Sequence, residues 1–136
     1  MRKTTGILFP LLAAISYHVI ADNEAPIKME HPGDTALSQA EAGKFVYKSF
    51  PALTRLYVYD KDSPGKSECN SGCSSAWPPL LVSAGETKGQ VGDWSIIQRA
   101  DGRRQWAYKN QPVYTRYHDM APDKETEKEG FHLLKP

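Results

Sequence analysis

The chain has 136 residues, with 17 basic and 16 acidic side chains and a formal net charge of +1. So even a balance gives no electrostatic footprint for nucleic acid or for an anionic membrane surface, and neither is expected as a partner. The length suits one small domain with a modest core, a size class in which exported proteins often add a covalent staple.

At the N-terminus, Arg2 and Lys3 precede a stretch, Gly6 to Ala21, that contains no charged residue. Val19 and Ala21 stand three and one positions before a cleavage point ahead of Asp22. This is the layout of a secretory signal peptide, and its apolar run is short for a membrane span. The expectation is that residues 1–21 are removed. The product is then exported to the periplasm or secreted, soluble, with no stable membrane insertion after cleavage. No cysteine lies at the cleavage point, so no lipid anchor is expected. Loss of Arg2 and Lys3 would leave 15 basic against 16 acidic residues, a formal charge of −1.

Residues 22–42 read as a polar lead-in broken by Pro26, Pro32 and Gly33, with Asp34 expected to cap a short helical stretch through Ala42. From Lys44 the composition turns to β type. Phe45-Val46-Tyr47 and Leu56-Tyr57-Val58-Tyr59 are aromatic and β-branched runs separated by Pro51. Asp62-Ser63-Pro64-Gly65 is a turn signal. Cys69 and Cys73 are the only cysteines, and Asn70 and Gly72 between them allow a tight turn that can bring the sulfurs together. A structural disulfide is one reading of the pair. A copper or redox site is the other, because two thiolates can share a soft metal, with His118, Met120, His132, Met29 and His31 as further candidate ligands. Ser74 to Trp77 is predicted to form a helical turn that Pro78-Pro79 stops.

A glycine-rich loop leads to the clearest local signal. Trp94 to Arg99 should pair with Gln105 to Tyr108 across Ala100-Asp101-Gly102-Arg103, since Asp-Gly between β-prone runs makes a hairpin turn. Lys109-Asn110-Gln111-Pro112 makes a second turn into a strand from Val113 to Tyr117, the acidic stretch Asp123 to Glu129 reads as a solvated loop, and Phe131 to Leu134 is the closing strand. The predicted fold is mainly β: one small domain over 43–136, built of tandem antiparallel repeats, with a short helical turn after the disulfide loop.

The repeat is visible in residue types. Phe45, Tyr47, Lys48, Tyr57 and Asp62 are answered by Trp106, Tyr108, Lys109, Tyr114 and Asp119, with Tyr and Asp five positions apart in both copies. Trp94-Ser95-Ile96-Ile97 and Phe131-His132-Leu133-Leu134 follow as matching ends, which places repeat one at about 43–97 and repeat two at about 104–136. Tyr57-Val58-Tyr59-Asp60-Lys61-Asp62 resembles the Tyr-x-aromatic-x-x-Asp motif of the "secreted repeat of unknown function" family. Asp62 to Ser67, Cys69-x-x-x-Cys73, Ala76-Trp77-Pro78-Pro79-Leu80, Arg99 to Lys109 and His132 to Pro136 are similar to it as well. The resemblance covers roughly residues 43–136 and implies exported proteins with the repeat in tandem and no established activity. Arg116 stands where the family motif has an aromatic, and the family's lipid-attachment cysteine is absent.

Tyr57 and Tyr59 should point to one face of their strand, with Val58 on the other. Asp62 either locks its turn, accepting from backbone amides or a tyrosine hydroxyl, or lines a shared ligand cleft with Tyr57, Tyr59, Tyr114 and Asp119. Trp77, Trp94 and Trp106 are expected in the core, Trp77 over the disulfide turn. Paired carboxylates can serve hydrolysis, but no serine elbow, His-Glu-x-x-His or phosphate loop accompanies them. The expected function is therefore a non-enzymatic binding or interaction module of the cell envelope, without a cofactor, engaging an envelope protein or a small ligand. The alternative is a periplasmic copper-binding or electron-transfer accessory protein that uses Cys69 and Cys73.

Overall fold

A computed structural model of the chain describes Gly6 and residues 29–136, so the expected signal segment and its cleavage point lie outside the described residues apart from Gly6. The strands are β1 (Thr35–Gln39), β2 (Phe45–Ser49), β3 (Tyr57–Tyr59), β4 (Gln90–Val91), β5 (Trp94–Gln98), β6 (Arg104–Tyr108), β7 (Gln111–Pro112) and β8 (Phe131–Leu133). Two one-turn helices, α1 (Gly72–Ala76) and α2 (Lys124–Lys128), complete a mainly β, antiparallel fold. Among the described residues no helix is long and apolar enough to cross a membrane.

Two hairpins share one register. In β1–β2, Thr35 faces Ser49 and Gln39 faces Phe45; in β5–β6, Trp94 faces Tyr108 and Gln98 faces Arg104. Their turns close alike, with the Ala40 amide on the Lys44 carbonyl and the Arg99 amide on the Arg103 carbonyl. Gly43 (φ +72°) and Gly102 (φ +83°) hold corresponding places in these turns, where positive φ strains any residue with a Cβ. Thr35 thus corresponds to Trp94, and Tyr47 to Trp106.

Three sequence expectations are corrected here. The stretch 34–42 is not a capped helix: it forms strand β1, with only a 3-10 turn at Glu41–Gly43. Asp34 does not cap anything, because its carboxylate accepts from the Trp106 Nε1–H (2.8 Å) and from the Ser83 amide (2.9 Å), which ties the hairpin of the first unit to the second. The acidic stretch 123–129 is not a loop but helix α2. Asp123 and Thr126 form a reciprocal capping box, and Gly130 (φ +85°) ends the helix. Finally, Val113 to Tyr117 is no continuous strand. The ladder stops at Pro112, Tyr114 makes single bridges to Tyr57 and Pro79, and a 3-10 turn follows at Tyr117–Asp119.

The repeat boundaries also move. Trp94-Ser95-Ile96-Ile97 begins the second unit, as β5, rather than ending the first. The counterpart of Phe131 to Leu134 is Trp77-Pro78-Pro79-Leu80. Pro79 bridges Tyr114 just as Leu133 pairs with Tyr57. The Leu80 amide donates to the Val113 carbonyl and the Leu134 amide to the Leu56 carbonyl, both at 2.9 Å. The closing segment of each unit therefore packs on the tyrosine segment of the other, and the units interlace.

Strand β3 separates two clusters by its alternation. Val58 packs against an apolar core of Tyr47, Leu56, Leu80, Trp94, Trp106, Tyr108, Val113 and Leu134. On its other face Tyr57 and Tyr59 join Trp77, Tyr114, Phe131 and the half-cystines. All three tryptophans are buried, as expected, with Trp77 in the disulfide's own cluster.

Candidate functional site

Tyr57 and Tyr114 sit where the units meet. The amide of each donates to the carbonyl of the other at 2.8 Å, and both side chains are fully buried. Trp77 and Phe131, themselves counterparts, stack face to face (4.0 Å, 8°). Tyr59 stacks on the outer side of Phe131 (4.3 Å, 11°), and the Arg116 guanidinium lies 5.3 Å over the Trp77 ring. Arg116 thus replaces the aromatic of the motif without breaking the stack, because a planar cation is attracted to a ring face. Its other bonds, to the Ala121 carbonyl (2.8 Å) and Thr126 Oγ1 (3.1 Å), fasten α2 to this layer.

The hydroxyls of the two tyrosines end differently. Tyr114 donates to Asp62 Oδ2 (2.7 Å), and Asp62 Oδ1 accepts from the Glu68 amide (2.7 Å). Tyr57 donates to the backbone carbonyl of Met120 (3.2 Å). Asp119 accepts instead from the Arg55 amide (2.9 Å), and the Arg55 guanidinium lies 3.4 Å from its carboxylate. The five residues expected in a single cleft are not brought together: Tyr59 and Asp62 line one opening, Tyr57 and Tyr114 are fully buried, and Asp119 is paired with Arg55. Burial pushes the Asp62 carboxyl above its ordinary value, more than its two hydrogen bonds lower it. Burial also drives Tyr114 far up, so it remains a proton donor at neutral pH.

Behind Tyr114 runs a polar core that the motif does not announce. Arg99, with no exposed side-chain surface, donates from Nη1 to Ser67 Oγ (3.1 Å) and Gln105 Oε1 (2.8 Å). Its Nη2 reaches the Cys69 carbonyl (3.0 Å), and its Nε reaches Asp101 Oδ2 (3.0 Å). Ser67 Oγ lies 2.6 Å from Tyr114 Oη, and Gln105 Nε2 donates to the Val113 carbonyl (2.8 Å). The donors run one way, Arg99 to Ser67 to Tyr114 to Asp62, so each group is satisfied. The Arg103 bonds and the neighbouring Arg99 hold Asp101 well below the usual carboxylate range. Arg99 reads from sequence as the end of the strand that begins at Trp94, whereas β5 stops at Gln98 and Arg99 turns into the core. Its only signal is a mismatch, since the corresponding place in the first unit is Ala40.

Cys69 and Cys73 form a disulfide, Cα to Cα 5.2 Å. Cys69 is fully buried, and α1 starts at Gly72 beside the link. Of the alternative ligands, the His118 ring packs on Tyr117 (4.0 Å), His132 Nε2 lies 2.7 Å from Asp60, and Met120 is exposed to solvent. Among the described residues no group of three or more His, Cys, Asp or Glu is placed to hold a metal ion.

Two surface features remain. A cleft of about 120 Å³ lies beside Asp62, between Tyr59–Pro64 and the turn Lys109–Pro112. On the corresponding side of the other unit, the loop from Phe50 to Leu53 replaces the two-residue turn Lys109–Asn110, and Phe50 (55 % exposed) and Leu53 (50 %) point to solvent. Tyr117 (61 %) and Met120 (52 %) are exposed on the segment that Arg55 ties to this loop's base through Asp119. Comparison of the chain with protein-family models, curated proteins and solved structures finds no match.

Proposed function

We propose that the protein is an exported, non-enzymatic interaction module of the cell envelope, as its likeness to tandem secreted repeats suggests. The observation that carries the reading is where the chemistry-bearing residues of the repeat are spent. Tyr57 and Tyr114 lie in the core, and Asp62 and Asp119 are taken up by a tyrosine, an arginine and backbone amides. The motif therefore serves as a lock between interlaced units, while large apolar side chains, Phe50, Leu53, Tyr117 and Met120, are left to solvent on two adjoining segments. Exposed aromatic and methionine side chains are the residue types enriched in protein contacts. The Cys69–Cys73 link staples the small fold, in keeping with an oxidising compartment.

The test places a photo-crosslinking amino acid at Phe50, at Met120 and, as a control, at Lys88 in cells producing the full chain. The reading expects discrete adducts from the exported fraction at the first two positions and none at Lys88. Equal labelling at all three, or a mature chain that keeps residues 1–21 in the cytoplasm, overturns it.

A further inference from the structure

We propose that the cleft between Tyr59–Pro64 and Lys109–Pro112 is a binding site for a neutral, hydroxyl-rich ring, a single pyranose unit. The proposal goes beyond the interaction-module reading, because it concerns a different surface and needs no protein partner. Three observations support it.

The first is shape. The cleft holds about 120 Å³ and is partly open, so it can take one edge of a ring with the rest of the ring at its mouth, and it is too short for an extended peptide. Its walls are preformed. The Gly65 amide donates to the Asn110 carbonyl (2.8 Å), clasping the two sides, and Ser63 and Lys66 bridge each other beneath the turn. Lys109 and Asn110 are both held at positive φ (48° and 65°), the tight hairpin turn that projects their side chains beside the opening. Preformed sites lose less to ordering when a ligand arrives.

The second is amphipathicity. Tyr59, stacked on Phe131, lines the cleft together with Pro64 and Pro112. Beside them on the same two walls stand Asp62, Ser63, Asn110 and Gln111. A pyranose ring has the same division, with C–H groups on its faces and hydroxyls around its rim. Flat aromatic surface beside hydrogen-bonding groups is the pairing that recognises it.

The third is charge. Each Asp62 oxygen already accepts one internal bond, from Tyr114 or Glu68, and keeps one further acceptor direction. Lys109 also lines the cleft, with its ammonium 5.3 Å over the neighbouring Tyr108 ring, so its positive charge lies beside the opening. The two opposite charges beside one opening disfavour either a cationic or an anionic ligand, whereas neutral hydroxyls can donate to Asp62 and accept from the side-chain amides of Asn110 and Gln111. The corresponding place in the other unit has lost this set: Asp62 maps to Asp119, which faces Arg55, and the Lys109–Asn110 turn maps to the apolar Phe50–Leu53 loop.

The experiment is an amide NMR titration of the folded, disulfide-bonded chain with glucose and with N-acetylglucosamine, using methylammonium and acetate as charged controls. The expected result is saturable shifts at Ser63, Gly65, Asn110 and Gln111 with at least one sugar, at millimolar affinity, and none at Phe50 to Leu53. Asn110→Gly keeps the positive-φ turn and removes the side-chain amide; Gln111→Ala, at an exposed position, is the second variant. Each should weaken sugar binding about fivefold while the rest of the spectrum is unchanged. Shifts caused by methylammonium or acetate rather than by sugar, no saturation with either sugar, or full affinity in both variants overturns the proposal. None of these outcomes bears on crosslinking at Phe50, so the two readings fail separately.

Discussion

The two units carry the same tyrosine on the same kind of segment, yet the hydroxyls are received in different ways. Tyr114 ends on a half-buried carboxylate, Asp62, and is backed by Ser67 and a buried arginine. Tyr57 ends on a bare carbonyl of Met120, while the counterpart of Asp62, Asp119 of the second unit, turns to Arg55 at the surface. The rings and backbone bridges are matched; the polar closure is not. Packing of the rings is shared by both units and constrains each through the other, because Trp77 and Phe131 stack across the junction. Hydrogen-bond closure is local, so one unit can keep a deep polar lock while the other exchanges it for a surface pair and an apolar loop.

The largest effect of this asymmetry belongs to Arg99. Arg99→Ala should cost about 3 kcal/mol or more, since Gln105 Oε1, the Cys69 carbonyl and Ser67 lose a buried donor together. Denaturant unfolding checks it, and a loss under about 1 kcal/mol would show that the polar core is dispensable.

Opening the disulfide, by Cys69→Ser with Cys73→Ser, should cost about 2 kcal/mol for so short a loop. Hydrogen exchange should rise first around α1 and the Arg99 contacts rather than at β1–β2; uniform loosening would contradict the local role.

The tyrosines give the sharpest comparison. Tyr114→Phe leaves Asp62 without its hydroxyl donor and should cost about 2 kcal/mol, whereas Tyr57→Phe removes one bond to a neutral carbonyl and should cost about 1 kcal/mol. Equal losses would mean that the two closures are equivalent after all. Asp119→Asn, at a partly exposed pair, should change stability by less than about 1 kcal/mol.

Acidity separates two further carboxylates. Burial raises the Asp62 carboxyl above 3.8, so the folded state favours its protonated form; that contribution is present below 3.8 and is lost as pH rises through the raised value. Burial also acts upward on Asp34, but the Ser83 and Trp106 bonds outweigh it and its carboxyl lies below 3.8. Its contribution is present above 3.8 and is lost as pH falls through the lowered value. Compared with wild type, Asp34→Asn should therefore lose less stability between pH 5 and pH 2. For Asp62→Asn, the deficit relative to wild type should be larger at low pH and narrow toward neutrality. Parallel pH curves for wild type and both variants would refute these assignments.

Much of the fold could be read along the chain. The Asp101-Gly102 hairpin, the turn at Asp62 to Gly65, the helical turn before Pro78 and the closing strand at Phe131 follow from turn chemistry and β-prone runs. Two signals were present and passed over. Gly33-Asp34, Gln39 and Gly43-Lys44 recur as Gly92-Asp93, Gln98 and Gly102-Arg103, which mark the first hairpin; Asp123, Thr126 and Gly130 are start and stop signals for α2. Aligning the copies by Tyr47 and Tyr108 hid the first pattern, because the loop after β2 is two residues longer than the turn after β6.

By itself, then, the sequence determined what depends on neighbours along the chain: the β character, the tight turns, the duplication and the proximity of the two cysteines. Turn preferences and alternation act over a few residues, so they survive without knowledge of the fold. Only the tertiary structure decided that the units interlace, that Tyr57 and Tyr114 are buried, that Arg116 can stand in for an aromatic, and that Arg99 is buried at the centre of a polar core. Those outcomes depend on partners far away in sequence, Trp77 with Phe131 and Tyr114 with Asp62, and no local preference encodes which distant group will satisfy a buried donor.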